Sequence, residues 1–528
     1  MIRNLLIIIA CLFALPAFAD NKTAIAFYKT GESDIAKQLF KKQLNSSATE
    51  KAEALYYLGE IAFNASNTSK ALDYYKQGWD ASPQYAYNQV GQGKILLKTD
   101  TKAAEKAFGT AIKINKKDAA VYVAIAAAYA ANNMPDDTKE SLEDARKFNT
   151  NEPAIYLFEG DQLLAQDKPG DAAGKYELAL HFNPDCLEAY IKYADVYKGV
   201  SPALSIEMLQ KALTRDPNYL PAYRSLGDIY SLQGMYAKAI DAYKKYMNGG
   251  LYTTDNLIHY ASALFFNGQY AEAAQIIEQG KAKEPNNFLL KRLSFYNKYE
   301  TKDYQHGVKE ATEFFNTPDA KIIWQDYLYY GRLLGETEQY DQALEALQKA
   351  LDLCEPNSHP EIYKDIADVS TDKGDYDNAI KAYSKYMEIT GTSAEASDFY
   401  QLGKYYYTAA TKDSIVDTGY LGKADSLFNI VKERVPNSHL GTLWQARTQA
   451  LMDPETEQGL AKPYYEACIR ILEKTPGKYT KDLSECYRYL GYYYYLKEDM
   501  DNSKLYWNKI LEIDPANQTA LEALKNIK

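Results

Sequence analysis

The chain has 528 residues, of which 25% are charged, and its formal net charge is −11. It carries no block of basic residues, so the composition excludes a typical nucleic-acid-binding protein. A chain of this length is too long for one compact core, which favours several domains or an array of stacked repeats.

The first 19 residues have the features of a secretory signal peptide. Arg3 supplies a positive charge, an apolar run follows it, and small residues precede a cleavage site after Ala19. The run is too short for a transmembrane anchor, which needs about 20 apolar residues. Cys11 follows a loose lipoprotein-type sequence, but cleavage there would leave an apolar tail, so lipid anchoring is the less favoured interpretation. We therefore expect an exported protein with no transmembrane segment in the mature chain.

The rest of the chain consists of copies of one pattern, which is clearest between Tyr219 and Met247. Small and large residues recur there at three- and four-residue intervals, as in two amphipathic helices. Gly234 separates the two helices, and the next copy carries the equivalent Gly268 about 34 residues later. Proline, asparagine or glycine closes the helices. The pattern predicts a series of helical hairpins.

This pattern resembles the tetratricopeptide repeat. The residues that carry the resemblance in the clearest copy are Tyr223, Leu226, Gly227, Tyr230, Gly234, Tyr236, Ala239 and Tyr243, while Gly249-Gly250 replaces the closing proline. The resemblance implies an all-α fold, a right-handed α-solenoid (superhelix) of about thirteen helix-turn-helix units. The Lys-, Asn- and Tyr-rich composition is also similar to that of exported Bacteroidetes proteins, which implies a periplasmic location.

Changes of period divide the predicted array. We place an N-terminal array at 20–250 and a C-terminal array at 251–528, which could also form one continuous superhelix. The second array has insertions near 408–422 and 452–463 and ends in a capping helix from Gln518 to Lys528.

Small residues at equivalent positions are predicted to let facing helices approach closely. A glycine within a helix costs about 1 kcal/mol relative to alanine, so Gly227 needs a packing reason, and we pair it with Ala239. The predicted packing positions are Gly59, Ala71, Gly160, Ala172, Gly227, Tyr230, Ala239, Ala273, Gly331, Ala343, Ala379, Gly403 and Gly491.

The sequence offers no catalytic motif. It has no phosphate-binding glycine loop, no nucleophile elbow and no helix with paired metal-binding histidines. We expect a protein that is not an enzyme, with no catalytic residue, cofactor or metal. Cys468 and Cys486 fall on neighbouring predicted helices, and two interpretations stay open: a disulfide in an oxidising compartment, or two buried thiols.

The resemblance implies that the first helix of each repeat lines a concave binding face. In the better repeats this gives Tyr56, Glu60, Phe63, Arg224, Asp228, Ser231, Ile258, Ser262 and Phe265, followed by Tyr400, Lys404, Tyr407, Arg488, Tyr492 and Tyr495. Tyrosine and arginine are enriched at interaction hot spots, and the four successive tyrosines from Tyr492 to Tyr495 cannot all face a core. We predict a partner-binding surface from the last six residues, with packing between repeats as the alternative role of the tyrosines.

Two functions follow as expectations. The first is a protein-interaction scaffold of the cell envelope that binds partner segments and no nucleic acid. The second is a glycan- or nutrient-binding envelope protein similar to the SusD-like proteins, because tyrosine rings suit sugar faces. A third possibility is an accessory subunit that recruits an enzyme. The Lys and Asn residues with which some family members clamp a terminal carboxylate are missing here.

Overall fold

The computed structural model describes residues 20–318, 320–412, 414–475 and 477–527. Within these residues the chain forms 29 α-helices and no strand, which confirms the predicted all-α repeat fold. Helices α1 to α28 pack in consecutive pairs, and α29 follows them; α17 and α18 are joined by the packing of Phe295 on Phe314. We call the odd-numbered member of each pair its first helix and the even-numbered member its second. The predicted signal peptide and Cys11 lie outside the described residues.

The chain packs as two compact units, residues 20–293 and 294–527, and the boundary falls within α17. The division predicted at residue 250 remains a prediction about the repeat arrays. The helices that begin in unit 1 and end before the boundary are α1 Asn21–Lys29, α2 Ser33–Lys42, α3 Ala48–Asn64, α4 Thr68–Ala81, α5 Tyr87–Leu96, α6 Thr101–Ile114, α7 Ala119–Ala130, α8 Pro135–Phe148, α9 Pro153–Ala165, α10 Pro169–Phe182, α11 Leu187–Tyr197, α12 Pro202–Arg215, α13 Leu220–Leu232, α14 Tyr236–Met247, α15 Thr254–Phe266 and α16 Tyr270–Lys283.

The remaining helices follow the same alternation. They are α17 Phe288–Glu300, α18 Tyr304–Phe315, α19 Trp324–Glu336, α20 Tyr340–Leu353, α21 Glu361–Lys373, α22 Tyr376–Thr390, α23 Ala396–Thr411, α24 Thr418–Arg434, α25 Leu440–Met452, α26 Lys462–Leu472, α27 Thr480–Leu496, α28 Met500–Ile513 and α29 Gln518–Asn526. The connections at residues 412–417 and 453–461 lie within the two predicted insertions, and those at 316–323, 354–360 and 473–479 are of comparable length.

The core of a repeat is an aromatic ring laid against a glycine. A Cβ atom added to Gly227 would lie less than 3.0 Å from the ring of Tyr243, which the second helix supplies. Gly59 with Tyr75 and Gly160 with Tyr176 repeat this contact in unit 1. The atoms nearest to a Cβ on Gly227 are thus those of the Tyr243 ring, and the close pairing of Gly227 with Ala239 stays a prediction. The ring fills the space that a side chain on the glycine would occupy.

The predicted packing positions are buried with one exception. Tyr230 is half-buried, and the six alanines Ala71, Ala172, Ala239, Ala273, Ala343 and Ala379 have no exposed surface. The glycines Gly59, Gly160, Gly227, Gly331, Gly403 and Gly491 are buried. In unit 2 the side chains against Gly331, Gly403 and Gly491 are those of Leu347, Phe428 and Trp507. The repeats thus keep the glycine and vary the residue that covers it.

Gly227→Ala tests this contact. The added methyl group collides with the ring of Tyr243, and overpacking of this kind costs about 1–3 kcal/mol, so we expect the temperature of unfolding to fall. Gly174→Ala is the matched control, because a Cβ at this exposed helical glycine meets no atom within 4 Å and alanine favours a helix by about 1 kcal/mol. Equal effects of the two substitutions in thermal unfolding would contradict the packing role of Gly227.

Candidate interaction surface on the first helices

In unit 1 a tyrosine and a carboxylate complete the contacts of Gly59, Gly160 and Gly227, whereas Gly93 packs against Phe108 and is followed by Lys94. The residue after the glycine is acidic in these repeats, and the tyrosine hydroxyl donates a hydrogen bond to it. Tyr75 donates to Glu60 at 2.7 Å, Tyr176 to Asp161 at 2.8 Å and Tyr243 to Asp228 at 2.7 Å. Desolvation by burial, followed by the nearby carboxylate, raises the pKa of each of these tyrosines. The hydroxyl therefore stays protonated and keeps its role as donor.

These carboxylates also pair with cations on neighbouring first helices. Lys94 on α5 contacts Glu60 on α3, and Lys192 on α11 contacts Asp161 on α9 at 2.8 Å. In the part of unit 1 described here, the acidic residue after the glycine is thus held by a tyrosine and by a cation. The predicted contact residue Tyr56 is likewise engaged, since its ring packs among other tyrosine rings.

The N-terminal hairpin, α1 with α2, lies against helices that are remote in sequence. Phe27 on α1 is fully buried and packs edge-on to Tyr246 of α14 with ring centroids 6.3 Å apart. The hydroxyl of Tyr246 donates a hydrogen bond to Glu32 in the hairpin turn. Lys29 forms an ion pair of 2.9 Å with Glu188 on α11. The chain's own first hairpin therefore covers part of the first-helix surface of unit 1.

His259 on α15 lies between two carboxylates of unit 1. Its Nδ1 is 3.1 Å from Asp228 Oδ1 and its Nε2 is 3.6 Å from Asp255 Oδ1. Arg224 also faces both carboxylates, and the ring of Tyr243 packs edge-on to the imidazole. Hydrogen bonds to Asp228 and Asp255 raise the pKa of His259 to about 9. At neutral pH the imidazole is therefore charged and joins α13 to α15 electrostatically.

Unit 2 replaces the tyrosine–carboxylate pair. The residues after the glycines are Arg332, Lys404 and Tyr492, and the residues that cover the glycines are Leu347, Phe428 and Trp507. Leucine and phenylalanine offer no hydrogen-bond donor to a carboxylate. At these three positions unit 2 carries basic or aromatic side chains where Gly59, Gly160 and Gly227 of unit 1 are followed by acids, although Asp368 of unit 2, which follows Ala367, still accepts a hydrogen bond from Tyr405.

Ion pairs join successive first helices of unit 2 in one direction. Arg332 on α19 binds Asp365 on α21 with two hydrogen bonds of 2.9 and 2.8 Å. Lys364 on α21 contacts Asp398 on α23 at 2.9 Å.

The same arrangement links α25 to α27. Arg447 on α25 binds Glu485 on α27 with two hydrogen bonds of 2.9 and 2.7 Å. In these three pairs a cation contacts a carboxylate on the next first helix.

The predicted residues on α23 form an aromatic cluster. Tyr400 and Tyr407 both pack edge-on to Trp444 of α25, with ring centroids 5.9 and 5.1 Å apart. Lys404 lies over the ring of Tyr400 at 5.8 Å, and Arg447 lies 4.9 Å from the ring centroid of Trp444. Tyr400 and Tyr407 therefore pack between repeats and border a surface at the same time.

The predicted residues on α27 are exposed. Tyr492 and Tyr495 expose 45% and 40% of their surface, and Arg488 is also exposed. Tyr494 instead stacks on Tyr506 of α28 with ring centroids 5.7 Å apart. The four successive tyrosines are thus divided between packing and solvent, and Tyr492 and Tyr495 are available for contact with a partner.

Sequence reasoning missed the centre of this surface, Trp444 with Arg447. A signal was present: Arg447 follows Ala446, and arginine or lysine also follows the small residue at Gly331 and Gly403. The degenerate spacing of α25 hid this equivalence.

Cys468 and Cys486 are free thiols in the structure, and both are fully buried. A hydrogen bond with Cys468, together with burial, raises the pKa of Cys486. The two thiols therefore lie in contact, and whether they form a disulfide in an oxidising compartment stays a prediction.

Comparison with known proteins places this geometry in a family. Tetratricopeptide repeat sequence models match residues 21–86, 208–241 and 331–405. The C-terminal part of a TPR repeat-containing protein from Cytophaga hutchinsonii is 33% identical and is covered to 99%, over 51% of this chain, with a TM-score of 0.45. This chain belongs to the tetratricopeptide repeat (TPR) family.

More distant relatives carry TPR names. The TPR repeat-containing protein YpiA of Bacillus subtilis is 22% identical over 240 residues, which are 45% of this chain and 55% of that protein. The TPR repeat-containing protein MJ1428 of Methanocaldococcus jannaschii is 23% identical over 408 residues, 72% of this chain and 67% of that protein. This TPR chain thus spans about half the length of the Bacillus relative.

Two further properties concern the described part of this TPR chain. None of its helices combines the length and the apolar character needed to cross a bilayer. His, Cys, Asp and Glu side chains form no cluster of three suited to a metal ion among the residues that the structure describes.

Tyr246→Phe tests the docking of the N-terminal hairpin. The substitution removes the donor to Glu32, a carboxylate whose pKa burial raises, and leaving a buried acceptor unpaired costs about 1–3 kcal/mol. We expect a lower unfolding temperature and faster amide exchange in α1. Tyr420→Phe is the control, because that hydroxyl donates to Asp377 on an exposed surface. Unchanged exchange in α1 of Tyr246→Phe would contradict the proposed docking contact.

The charge of His259 predicts a dependence of stability on pH. Folding raises its pKa from 6.5 to about 9, so its contribution is complete below about pH 6.5 and is lost as pH rises through about 9. We expect His259→Gln to lower the unfolding temperature at about pH 6 and to have little effect at about pH 10. The same difference at both pH values would show that His259 is not charged in the folded chain.

Proposed function

We propose that this TPR protein is a non-enzymatic interaction scaffold of the cell envelope that binds segments of partner proteins on the first-helix surface of unit 2. TPR proteins generally mediate protein–protein interactions. The observation that carries the proposal is the exposure of Tyr492, Tyr495 and Arg488 on α27, the helix that Arg447 of the Trp444 cluster contacts through Glu485. Large aromatic and arginine side chains supply most of the binding free energy at interaction hot spots.

Unit 2 is the better candidate for partner binding. Its first-helix surface has exposed side chains, whereas the corresponding side chains of unit 1 contact other residues of the same unit. In unit 1, Glu60 and Asp161 already accept hydrogen bonds from tyrosines and contact lysines, and α1 covers neighbouring first helices. A partner at that surface would have to displace contacts that stabilise the fold. At α27 a partner would remove from water two tyrosine rings that solvent now covers.

The envelope location rests on the N-terminal sequence, in which Arg3, an apolar run and a cleavage site after Ala19 follow the order of a signal peptide. Export would deliver the folded array to the periplasm of a cell with two membranes. The partners we propose are accordingly envelope proteins.

The double substitution Tyr492→Ala with Tyr495→Ala tests the proposed surface. The protein is cross-linked in intact source cells, purified, and its attached proteins are identified. We expect the variant to lose a partner that the unchanged protein captures, while its unfolding temperature stays within a few degrees, because both rings are substantially exposed.

Two controls accompany this experiment. Leu353→Ala with Leu505→Ala removes similarly exposed apolar surface from the second helices α20 and α28 and should leave the captured partner unchanged. Tyr494→Ala removes the ring that stacks on Tyr506 and should lower stability. Equal capture by the Tyr492/Tyr495 variant would refute the proposed surface, and a glycan attached in place of a protein would favour the glycan-binding alternative.

A further inference from the structure

We infer that the partner segment is an acidic peptide whose carboxylates pair with Lys404 and Arg488. The inference rests on the proposed function, since it assigns a chemistry to the segment that binds the first-helix surface of unit 2. The inference is drawn from the ion pairs between successive first helices. Three other cations on these helices each pair with a carboxylate on the next first helix, whereas Lys404 and Arg488 do not.

Lys404 lacks a counter-ion because of the composition of the next first helix. By the arrangement of Arg332, Lys364 and Arg447, its carboxylate should come from α25, yet α25 contains no aspartate and no glutamate. In the part of the chain that the structure describes, Lys404 makes no ion pair, and its recorded contact is the ring of Tyr400. Its ammonium group therefore remains available to an external anion.

Arg488, on the last of these first helices, also lacks a carboxylate partner on the helix that follows. The helix that follows α27 and α28 is α29, whose single acidic residue, Glu522, is exposed and forms no ion pair with Arg488 among the described residues. The side chain of Arg488 instead lines a mostly polar cleft of about 600 Å³ with Trp507, Ile510 and two carboxylates, Glu485 and Asp514, and it forms no ion pair with either carboxylate among the described residues. A guanidinium group without an ion pair, next to the apolar side chains of Trp507 and Ile510, can bind a carboxylate of a partner segment.

Between these two cations the surface is aromatic, and its charged groups are paired with one another. Arg447 makes two hydrogen bonds to Glu485 and lies 3.8 Å from Asp482, which also contacts His439, and Trp444 with Tyr407 presents ring surface next to Arg447. Lys404 and Arg488 differ from Arg447 because neither forms an ion pair among the described residues. A segment that has apolar residues between two acidic ones matches this order of cation, aromatic rings and cation.

Unit 1 provides the internal comparison. Three of its first-helix lysines, Lys29, Lys94 and Lys192, each contact a carboxylate of the same unit, whereas Lys22 and Lys51 form no ion pair among the described residues. What sets α23 and α27 apart is that their cations without an ion pair, Lys404 and Arg488, accompany exposed or partly exposed tyrosines.

The test is selection of short random peptides displayed on phage against the intact purified chain. We expect the selected peptides to be enriched in Asp and Glu flanking apolar residues, and their affinity to decrease with rising ionic strength. The affinity of the best peptide is then measured by fluorescence anisotropy for the unchanged chain and for Lys404→Glu, Arg488→Glu and the double variant. Each single charge reversal should weaken binding by about tenfold.

Arg470→Glu with Lys474→Glu is the matched control. It makes the same change in net charge at exposed residues of α26 and of the connection that follows it, so we expect the affinity to stay within about twofold. Equal weakening by this control would overturn the inference, because it would show that only overall charge matters.

The outcomes separate this inference from the proposed function. Selected peptides that are not acidic, yet lose affinity with Tyr492→Ala and Tyr495→Ala, would overturn the acidic ligand and leave the binding surface in place. Acidic peptides whose affinity is unaffected by the double charge reversal would also overturn the assignment to Lys404 and Arg488. Selection of no peptide, together with unchanged cross-linking of the Tyr492/Tyr495 variant, would overturn both.

Discussion

The close contact between a glycine on a first helix and a large side chain on its second helix is the constraint on which these repeats depend. At Gly227 no side chain larger than hydrogen fits, because the ring of Tyr243 occupies the space. The contact fixes the distance between the two helices. It also places the para position of the ring beside the residue that follows the glycine on the first helix. In Tyr75, Tyr176 and Tyr243 that position carries a hydroxyl, so the packing of the core also decides which polar group stands beside the first-helix surface.

The two units differ in the residue that covers the glycine and in the charge of the residue that follows the glycine. Where the ring is a tyrosine, its hydroxyl binds a carboxylate, and the acid becomes part of the internal network of unit 1. Where Leu347 or Phe428 replaces it, no donor reaches the surface, and the residue after the glycine is Arg332 or Lys404. Between repeats, the loss of the tyrosine hydroxyl in the core thus accompanies a change in the charge of the residue after the glycine. Of the two cations at this position, Arg332 binds Asp365, whereas Lys404 makes no ion pair among the described residues.

The sequence predicted the fold well because its determinants are local. The interval between Gly227 and Gly234 and the tyrosines around them define two helices and a turn, and the structure has α13 and α14 there. Sequence periodicity shows which residues share a face and not which atom fills a gap, so it did not single out the ring of Tyr243 as the nearest neighbour of Gly227. On the candidate surface, Tyr492 and Tyr495 were identifiable because four tyrosines in succession cannot all be buried. Trp444 was not, because its role depends on the packing of α23 against α25, and the docking of Phe27 on Tyr246 leaves no periodic signal.

The contact of the N-terminal hairpin has a consequence for how unit 1 folds. In an open array each repeat touches only its neighbours, so structure can begin anywhere and spread along the chain. The hydrogen bond between Glu32 and Tyr246 instead joins residues 214 positions apart. Closing a loop of that length costs chain entropy that no local contact repays, and pairings between remote residues slow folding. During synthesis, α1 and α2 emerge first but cannot reach their final environment until α14 has been made. The hairpin that is synthesised first is therefore among the last to make its native contacts. Until then its apolar face, including Phe27, is exposed to chaperones.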